Sequence, residues 1–344
     1  MLRYRLLDRS LSHHRLPDGA LRLGARAAAA MRLRTEREGG VEAQEDRLRS
    51  VVWHLSHGPI AESIETSTEL PADFHALFLG PRMKYSCALW PPGTTELAQA
   101  DDAMLELTCR RAQIEDGMGI LDLGCGWGSL TLWLAERYPN ARVTGVSNSR
   151  TRTAYIDEEI RRRGLTNVEI VDPDATGGGF DRVLSIETFE HTRNWKELLR
   201  QISTRMKPDA KAFVHLFSHR DLAYRFEGTW AAERFFTGGT MPSHDLLLRF
   251  QDDLVVTDRW AVNGTHYSRT LRAWLERLDT NSDQALEILT RTTNRREAHR
   301  QLAAWRLFMI SAAEIWGWRD GNEWLVSHYL LGPTGPRGGS SPSS

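Results

Sequence analysis

The middle of the chain alternates short runs of apolar, β-branched residues with longer stretches of helical hydrophobic spacing, between Gly117 and His219. The predicted strands are Gly119–Leu123, Ala141–Val146, Val168–Val171, Asp181–Ile186 and Ala212–Phe217, and the predicted helices are Ser129–Arg137, Thr151–Arg163 and Trp195–Met206. Helices of this length between strands require right-handed crossovers, which make the strands parallel. The pattern therefore predicts an α/β domain with a doubly wound sheet.

The flanks of this region are mainly helical in pattern. We expect a helical N-terminal extension over residues 1–80, an α/β domain over 81–332 with a helical cap inserted at about 218–300, and a disordered tail over 333–344. Seven of the twelve tryptophans lie between Trp230 and Trp324. Indole rings at such positions either fill a core or line an apolar or cation-binding pocket.

Composition excludes several classes of protein. With 344 residues, 41% hydrophobic and 26% charged, the chain is globular in composition, and no apolar run approaches the ~18 residues of a membrane-spanning helix. Its 44 basic and 45 acidic residues give a net charge of -1, which argues against a nucleic-acid partner. Cys87, Cys109 and Cys125 include no C-x-x-C pair, so we expect no disulfide framework, no metal site and a reducing, cytoplasmic location.

The first 37 residues are the exception to this charge balance, because they carry nine arginines against three acidic residues. Apolar residues in this segment recur at helical spacing. The segment is therefore either a helix packed on the core or a helix lying on an anionic membrane surface. Peripheral membrane contact and a homodimer both stay open at this point.

A glycine-rich turn, Asp122-Leu-Gly-Cys-Gly-Trp-Gly128, ends the first predicted strand, and a helix follows at once. Glycines at 124, 126 and 128 let the backbone turn sharply and approach a ligand at the carboxyl edge of a parallel sheet. The G-x-G-x-G spacing differs from the dinucleotide pattern G-x-G-x-x-G, and fits a nucleoside that carries an amino acid better than a pyrophosphate. The turn resembles that of the class I S-adenosylmethionine-dependent methyltransferases.

This resemblance implies a cofactor site built from several loops. It places Gly124, Gly126 and Gly128, with Asp122 before them, under the methionine moiety of S-adenosylmethionine. It places the ribose at the end of the second strand and the adenine amino group beside an acid after the third strand. The matching residues are Ser147, Asn148 and Asp174.

Four further motifs narrow the family, and they cover 83–90, 143–149, 187–191 and 235–243. Together they resemble the cyclopropane fatty acid synthase superfamily. Within it the chain is most similar to the coclaurine N-methyltransferase group, through stretches that include Asn263-Gly-Thr-His-Tyr-Ser-Arg-Thr270, Trp305-Arg-Leu-Phe308 and Gly321-Asn-Glu-Trp-Leu-Val-Ser-His328. The resemblance runs from about residue 50 to residue 332.

The family resemblance assigns Tyr85 and Ser86 to a lid over the methionine end, and Glu187, Glu190 and His191 to the acceptor side. The last three follow the fourth strand, and in a helical turn positions i, i+3 and i+4 share one face. Two carboxylates and an imidazole can attract a protonated amine and take its proton, which frees the lone pair for attack. We therefore predict N-methylation of a small aromatic or hydrophobic amine. A buried hydrogen-bond cluster is compatible with the same residues.

A second set of residues suggests a different acceptor. In the cyclopropane synthases a bound bicarbonate takes the proton lost at ring closure, and its ligands match Cys87, Glu190, His215 and Tyr267 here. The position two beyond the histidine, usually isoleucine, is Phe217. The alternative is therefore cyclopropanation or C-methylation of unsaturated fatty acyl chains in phospholipids. A third alternative, a non-catalytic cofactor-binding protein, conflicts with the intact glycine turn and Glu-x-x-Glu-His pattern.

Overall fold

A seven-stranded sheet is the centre of the molecule in the computed structural model, which describes residues 17–60, 70–228, 230–235 and 238–334. The strands of this sheet are β1 (Gly119–Leu123), β2 (Arg142–Val146), β3 (Val168–Val171), β4 (Phe180–Ile186), β5 (Met206–His219), β8 (Leu254–Val262) and β9 (Trp324–Pro333). Their order is β3-β2-β1-β4-β5-β9-β8, and the first five are parallel. The predicted doubly wound α/β fold is confirmed for these five strands, and their order reverses between β1 and β4.

Helices cover both faces of the sheet and extend beyond it. They are α1 (Asp18–Arg37), α2 (Gly40–His54), α3 (Ala72–Ala76), α4 (Leu97–Arg111), α5 (Ser129–Arg137), α6 (Arg150–Arg163), α7 (Trp195–Arg205), α8 (Trp230–Phe235), α9 (Thr265–Thr280), α10 (Ser282–Thr290) and α11 (Arg295–Trp316). Local sequence sets several of their ends. The Ser149 hydroxyl caps α6 by accepting a hydrogen bond from Arg152 N, and Gly164 ends that helix in the left-handed conformation.

The predicted helical cap over 218–300 contains strands as well as helices, which corrects that expectation. A short hairpin, β6 (Tyr224–Arg225) with β7 (Thr240–Met241), lies within it, and β8 belongs to the main sheet. The β8 strand joins this sheet by pairing with β9, which runs antiparallel to both β5 and β8. Nine of the ten β9 residues are buried, so its sequence lacks the alternation of apolar and polar positions that identifies a half-exposed strand.

The N-terminal helix α1 packs on α11 through Ala25, Ala29 and Leu33, which are buried. Arg22 and Arg26 bind the buried Glu314 carboxylate at 2.8 and 2.5 Å. These basic residues are therefore paired within the molecule, as expected of a helix packed on the core. Residues 1–16 and most of the predicted tail lie outside the described residues, within which no helix is long and apolar enough to cross a membrane.

Candidate active site

A cavity of about 1750 Å³ opens at the carboxyl ends of β1, β2 and β4 and continues beneath α8, α9 and α11. Sheets of this kind bind ligands at this edge, where the strand order reverses. A pocket for a single small molecule measures ~300–1,000 Å³. The cavity is therefore large enough for a nucleoside cofactor together with a second ligand.

The glycine turn after β1 forms one end of the cavity. Gly124, Gly126 and Gly128 all adopt positive φ, at 78°, 57° and 78°. A Cβ at Gly124 would lie 2.6 Å from Thr188 Oγ1, and one at Gly128 would lie 2.8 Å from Ile156 Cγ1. A Cβ at Gly126 would meet no protein atom within 4 Å. Gly126 is therefore the glycine that leaves room for a ligand against the backbone.

The other predicted cofactor residues surround this turn. Asp122 lies beneath it and accepts a hydrogen bond from the Thr131 hydroxyl at 2.6 Å, while burial raises the pKa of Asp122 to about 6. Ser147, Asn148 and Asp174 line the cavity beyond the ends of β2 and β3. The structure thus brings the predicted residues to one end of the cavity, where they fit S-adenosylmethionine.

The predicted lid lies over the same end. Tyr85 and Ser86 both line the cavity, and Tyr85 is 37% exposed. The Tyr85 ring contacts the rings of Trp274 and Trp305 at centroid distances of 5.5 and 6.3 Å. Ser86 is buried and accepts a hydrogen bond from Lys84 Nζ at 2.6 Å. The lid therefore connects the glycine turn with the aromatic part of the cavity.

Glu187 is the centre of a polar network in the cavity wall. Its Oε1 accepts a hydrogen bond from Cys87 N at 2.9 Å and lies 3.2 Å from His215 Nε2. Its Oε2 accepts a hydrogen bond from the Tyr267 hydroxyl at 2.6 Å. The backbone of Glu187 is left-handed, with φ at 47°, which is uncommon for a residue with a side chain. Burial raises the pKa of the Glu187 carboxyl, while the hydrogen bond from Cys87 N lowers it.

Glu190 lies behind the cavity wall, which corrects the prediction that it faces the acceptor. Its Oε1 accepts a hydrogen bond from Phe217 N at 2.5 Å, and its Oε2 has no hydrogen-bond partner among the described residues. Burial raises the pKa of Glu190 well above its ordinary value. The helical turn begins at Phe189, after Glu187. Of the three residues predicted to face the acceptor, Glu187 and His191 therefore line the cavity and Glu190 does not.

The predicted bicarbonate ligands do not surround an open anion position. Cys87, His215 and Tyr267 all point a donor at the carboxylate of Glu187, and Glu190 is not part of this group. Cys87 contributes its backbone N–H, because its thiol donates to a neighbouring carbonyl. Burial lowers the pKa of His215 well below its ordinary value, so the imidazole is neutral. The anion at this position is a side chain of the protein.

Aromatic side chains line the far end of the cavity. Phe235 of α8 stacks on Phe308 of α11 with 4.7 Å between ring centroids, and Trp305 lies 5.4 Å from Phe235. The tryptophan-rich region contains rings in both predicted settings, lining a pocket and filling the core. Trp305 lines the cavity, whereas Trp324 is buried in the core. An aromatic wall of this kind accommodates a planar or cationic ligand.

The predicted set lacks several polar residues of the cavity, among them His75, Lys84 and Arg152. Lys84 Nζ donates to the Cys87 carbonyl at 2.6 Å in addition to Ser86, and so holds the lid segment. The His75 ring lies 4.9 Å from that of Trp127, and burial lowers the pKa of His75 to about 4. None of the three belongs to a motif whose spacing marks it in the sequence.

Comparison with known proteins agrees with this geometry. The family model for mycolic acid cyclopropane synthetase matches residues 56–318. The (S)-coclaurine N-methyltransferase of Thalictrum flavum subsp. glaucum is 39% identical over 332 residues, which is 92% of each chain. The cyclopropane-fatty-acyl-phospholipid synthase of Escherichia coli (strain K12) is 29% identical over 211 residues, which is 61% of this chain and 54% of that protein.

The fold comparison gives the same grouping. The crystal structure of coclaurine N-methyltransferase bound to N-methylheliamine and SAH matches with a TM-score of 0.90 and 37% identity, and the match covers 95% of this chain and 98% of that one. Family model, relatives and fold thus agree over most of the chain. The protein belongs to the mycolic acid cyclopropane synthetase family and is an S-adenosylmethionine-dependent methyltransferase.

Proposed function

We propose that the protein methylates the nitrogen of a small aromatic or hydrophobic amine. The observation that carries this proposal is the Glu187 carboxylate, which lies in a cavity that also has an aromatic wall. A buried carboxylate attracts a cation, and aromatic faces hold one. The two relatives with 39% and 37% identity are named as N-methyltransferases, and this supports the same acceptor class.

The residues of the cavity have separable roles in this reaction. S-adenosylmethionine, when bound, supplies an electrophilic methyl group on a sulfonium. Trp305 and Phe308 hold the ring system of the acceptor, and Glu187 attracts its ammonium group. Because burial raises the pKa of Glu187, its carboxylate is a better proton acceptor than an exposed one. Tyr267 keeps the carboxylate oriented while the amine loses its proton.

His191 is the second group in the cavity that can accept this proton. Burial lowers its pKa, so the imidazole is neutral at neutral pH. Its position one residue after Glu190 places it on the cavity side of the short helical turn. Glu187 and His191 together therefore replace the predicted pair of Glu190 and His191.

The fatty acyl alternative requires a bicarbonate, and the same geometry argues against it. A free anion would need the Cys87 N–H, the His215 imidazole and the Tyr267 hydroxyl as donors. All three are engaged by Glu187. A bicarbonate would also be placed beside a carboxylate, and like charges at this range repel strongly in a buried site. We therefore propose that the reaction does not depend on bicarbonate.

Mass spectrometry with methyl-labelled S-adenosylmethionine tests the acceptor class directly. The purified enzyme is incubated in parallel with a panel of tetrahydroisoquinoline and phenethylamine compounds and with vesicles of phospholipids that carry unsaturated acyl chains. We expect the label on an amine nitrogen and none on lipid. An acyl chain that gains one labelled methylene would refute the proposal, and absence of any product from all acceptors would favour a non-catalytic protein.

A further inference from the structure

Arg152 contributes an unpaired positive charge to the cavity. It lies in the first turn of α6 and lines the cavity beside the glycine turn. Its Nε is buried and has no hydrogen-bond partner, and its guanidinium forms no ion pair with a carboxylate among the described residues. Its guanidinium carbon lies 5.7 Å from the centroid of the Trp127 ring. A guanidinium in such a setting normally has an acidic partner.

Three other arginines of the same helix form ion pairs with glutamate side chains. Arg161 pairs with Glu158 at 2.6 Å, and Arg162 and Arg163 both pair with Glu159, at 2.7 and 2.6 Å. These ion pairs lie towards the C-terminal end of α6, away from the cavity. Arg152 differs because it lines the cavity and is partly buried, whereas Arg150, which also lines the cavity, is exposed to solvent. The missing partner is therefore expected to be an anionic group of a ligand.

The position of the guanidinium indicates which part of the cofactor it meets. Burial is the main influence on the pKa values of His75, Tyr85 and His191, and the charge of Arg152 acts on all three as a smaller, lowering influence. These residues come from α3, the lid and the turn after β4, so they surround the middle of the cavity. The family resemblance assigns this region, under the Tyr85 lid, to the methionine moiety of the cofactor. The carboxylate is the anionic group of S-adenosylmethionine.

We propose that Arg152 binds the carboxylate of the methionine moiety of S-adenosylmethionine. The planar guanidinium matches a carboxylate through two parallel hydrogen bonds, and such charge-assisted pairs are stronger than neutral ones. The pair would also neutralise a charge that otherwise repels the sulfonium of the cofactor and the ammonium of an amine acceptor. This role concerns the cofactor alone and holds whichever acceptor the enzyme uses.

Binding calorimetry with two ligands tests the assignment. S-adenosylhomocysteine carries the carboxylate, whereas 5′-methylthioadenosine keeps the adenosine and the sulfur but lacks it. In Arg152→Met, which retains length and removes charge, we expect S-adenosylhomocysteine to bind roughly 10- to 100-fold more weakly. The Kd of 5′-methylthioadenosine should change by less than about threefold, which also shows that the site is folded. Arg152→Lys should recover part of the lost affinity, because it restores the charge.

A matched control is available on the same helix. Arg161 has a side chain that is 66% exposed and lies outside the cavity, so Arg161→Met should leave the affinity of both ligands unchanged. Equal weakening of both ligands in Arg152→Met would overturn the proposal, since the guanidinium would then act on the adenosine part. Unchanged affinity for S-adenosylhomocysteine, or no recovery with lysine in a folded variant, would overturn it as well.

Discussion

At the scale of single residues, Glu187 is the group that we propose as the base. Its carboxylate is held by donors from three parts of the chain, and its backbone is left-handed. Such a conformation costs roughly 1–2 kcal/mol for a residue with a side chain. Strained backbone of this kind is frequent at functional sites, where surrounding contacts compensate for it. The contacts of the carboxylate are that compensation here.

Removal of the charge of Glu187 should affect turnover more than cofactor binding. In Glu187→Gln the shape is kept, so we expect turnover to fall by about 10²-fold or more with little change in affinity for S-adenosylhomocysteine. The acidic limb of the pH–rate profile, where wild-type turnover rises with pH as Glu187 loses its proton, should disappear. Glu190→Gln is the matched control and should retain much more turnover. Equal losses in both variants would contradict the assignment.

Replacement of Glu187 by glycine should convert the site into an anion-binding one. Glycine adopts a φ of 47° without strain, and the donors on Cys87, His215 and Tyr267 lose their partner. We expect Glu187→Gly to be nearly inactive and to regain part of its rate when bicarbonate or formate is added. Wild-type turnover in carbon-dioxide-free buffer should be unchanged. A several-fold loss of the wild-type rate on degassing, restored by bicarbonate, would instead favour the fatty acyl alternative.

A second carboxyl gives a prediction for stability. Asp101 in α4 is fully buried, neither of its oxygens has a hydrogen-bond partner among the described residues, and burial raises its pKa from 3.8 to about 7. Lys84, Arg82 and Arg277 oppose this shift, and Asp102 adds to it. Between pH 3.8 and about pH 7 unfolding releases a proton from Asp101. The stabilisation that the protonated carboxyl gives at low pH is therefore lost as the pH rises, and the free energy of unfolding falls by about 4 kcal/mol at most.

The substitution Asp101→Asn removes this proton release. Its melting temperature should therefore vary less than that of the wild type between about pH 4 and pH 7, and the two slopes should agree above pH 8. Thermal unfolding followed by circular dichroism across this range measures the difference. A variant that keeps the wild-type slope would show that Asp101 does not titrate in this window.

At the scale of structural elements, the glycine turn is where cofactor and backbone meet. Gly126→Val places a branched side chain in space that belongs to the ligand, so cofactor binding should weaken by at least a few kcal/mol while the fold is retained. Gly164→Val is the matched control, because Gly164 also has a positive φ, 65° against 57°, and open space around it, but ends α6 outside the cavity. Calorimetry should show weak binding in the first variant alone.

The five parallel strands could be predicted because each is a short apolar run between helical stretches. The bounds of β1 and β3 agree with the structure, whereas β5 begins at Met206, where the prediction still placed a helix. The last strands of the sheet could not be predicted. β8 is half exposed at the sheet edge and lies in a mainly helical region, and β9 is buried on both faces, so neither shows a decisive period.

The candidate site divides in the same way. Gly126 and Asp122 lie in one local motif, so spacing alone identified them. The exchange of roles between Glu187 and Glu190 depends on a single left-handed residue, which no side-chain pattern reveals. Arg152 and His75 reach the cavity only through the packing of α6 and α3, and no motif in the sequence marks either of them.

At the scale of the whole molecule, the two ends of the cavity belong to different parts of the fold. The parallel strands carry the cofactor end, while α11 carries Trp305 and Phe308 of the aromatic wall. The outer side of α11 is held by α1 through Glu314, which binds Arg22 and Arg26. The N-terminal helix therefore supports the acceptor side from outside without contributing a described residue to the cavity lining.

The place of β9 between β5 and β8 has a consequence for how the protein is made. β5 is synthesised more than a hundred residues before its neighbour, and until Trp324–Pro333 has left the ribosome its long edge has no partner. An open edge of this length invites pairing with other chains, so a nascent chain at this stage is a natural client for chaperones. The contact of the His215 ring with the His328 ring, with centroids 4.6 Å apart, also forms only after this last strand is synthesised. Translation must therefore pass β9 before the cavity wall around His215 is complete.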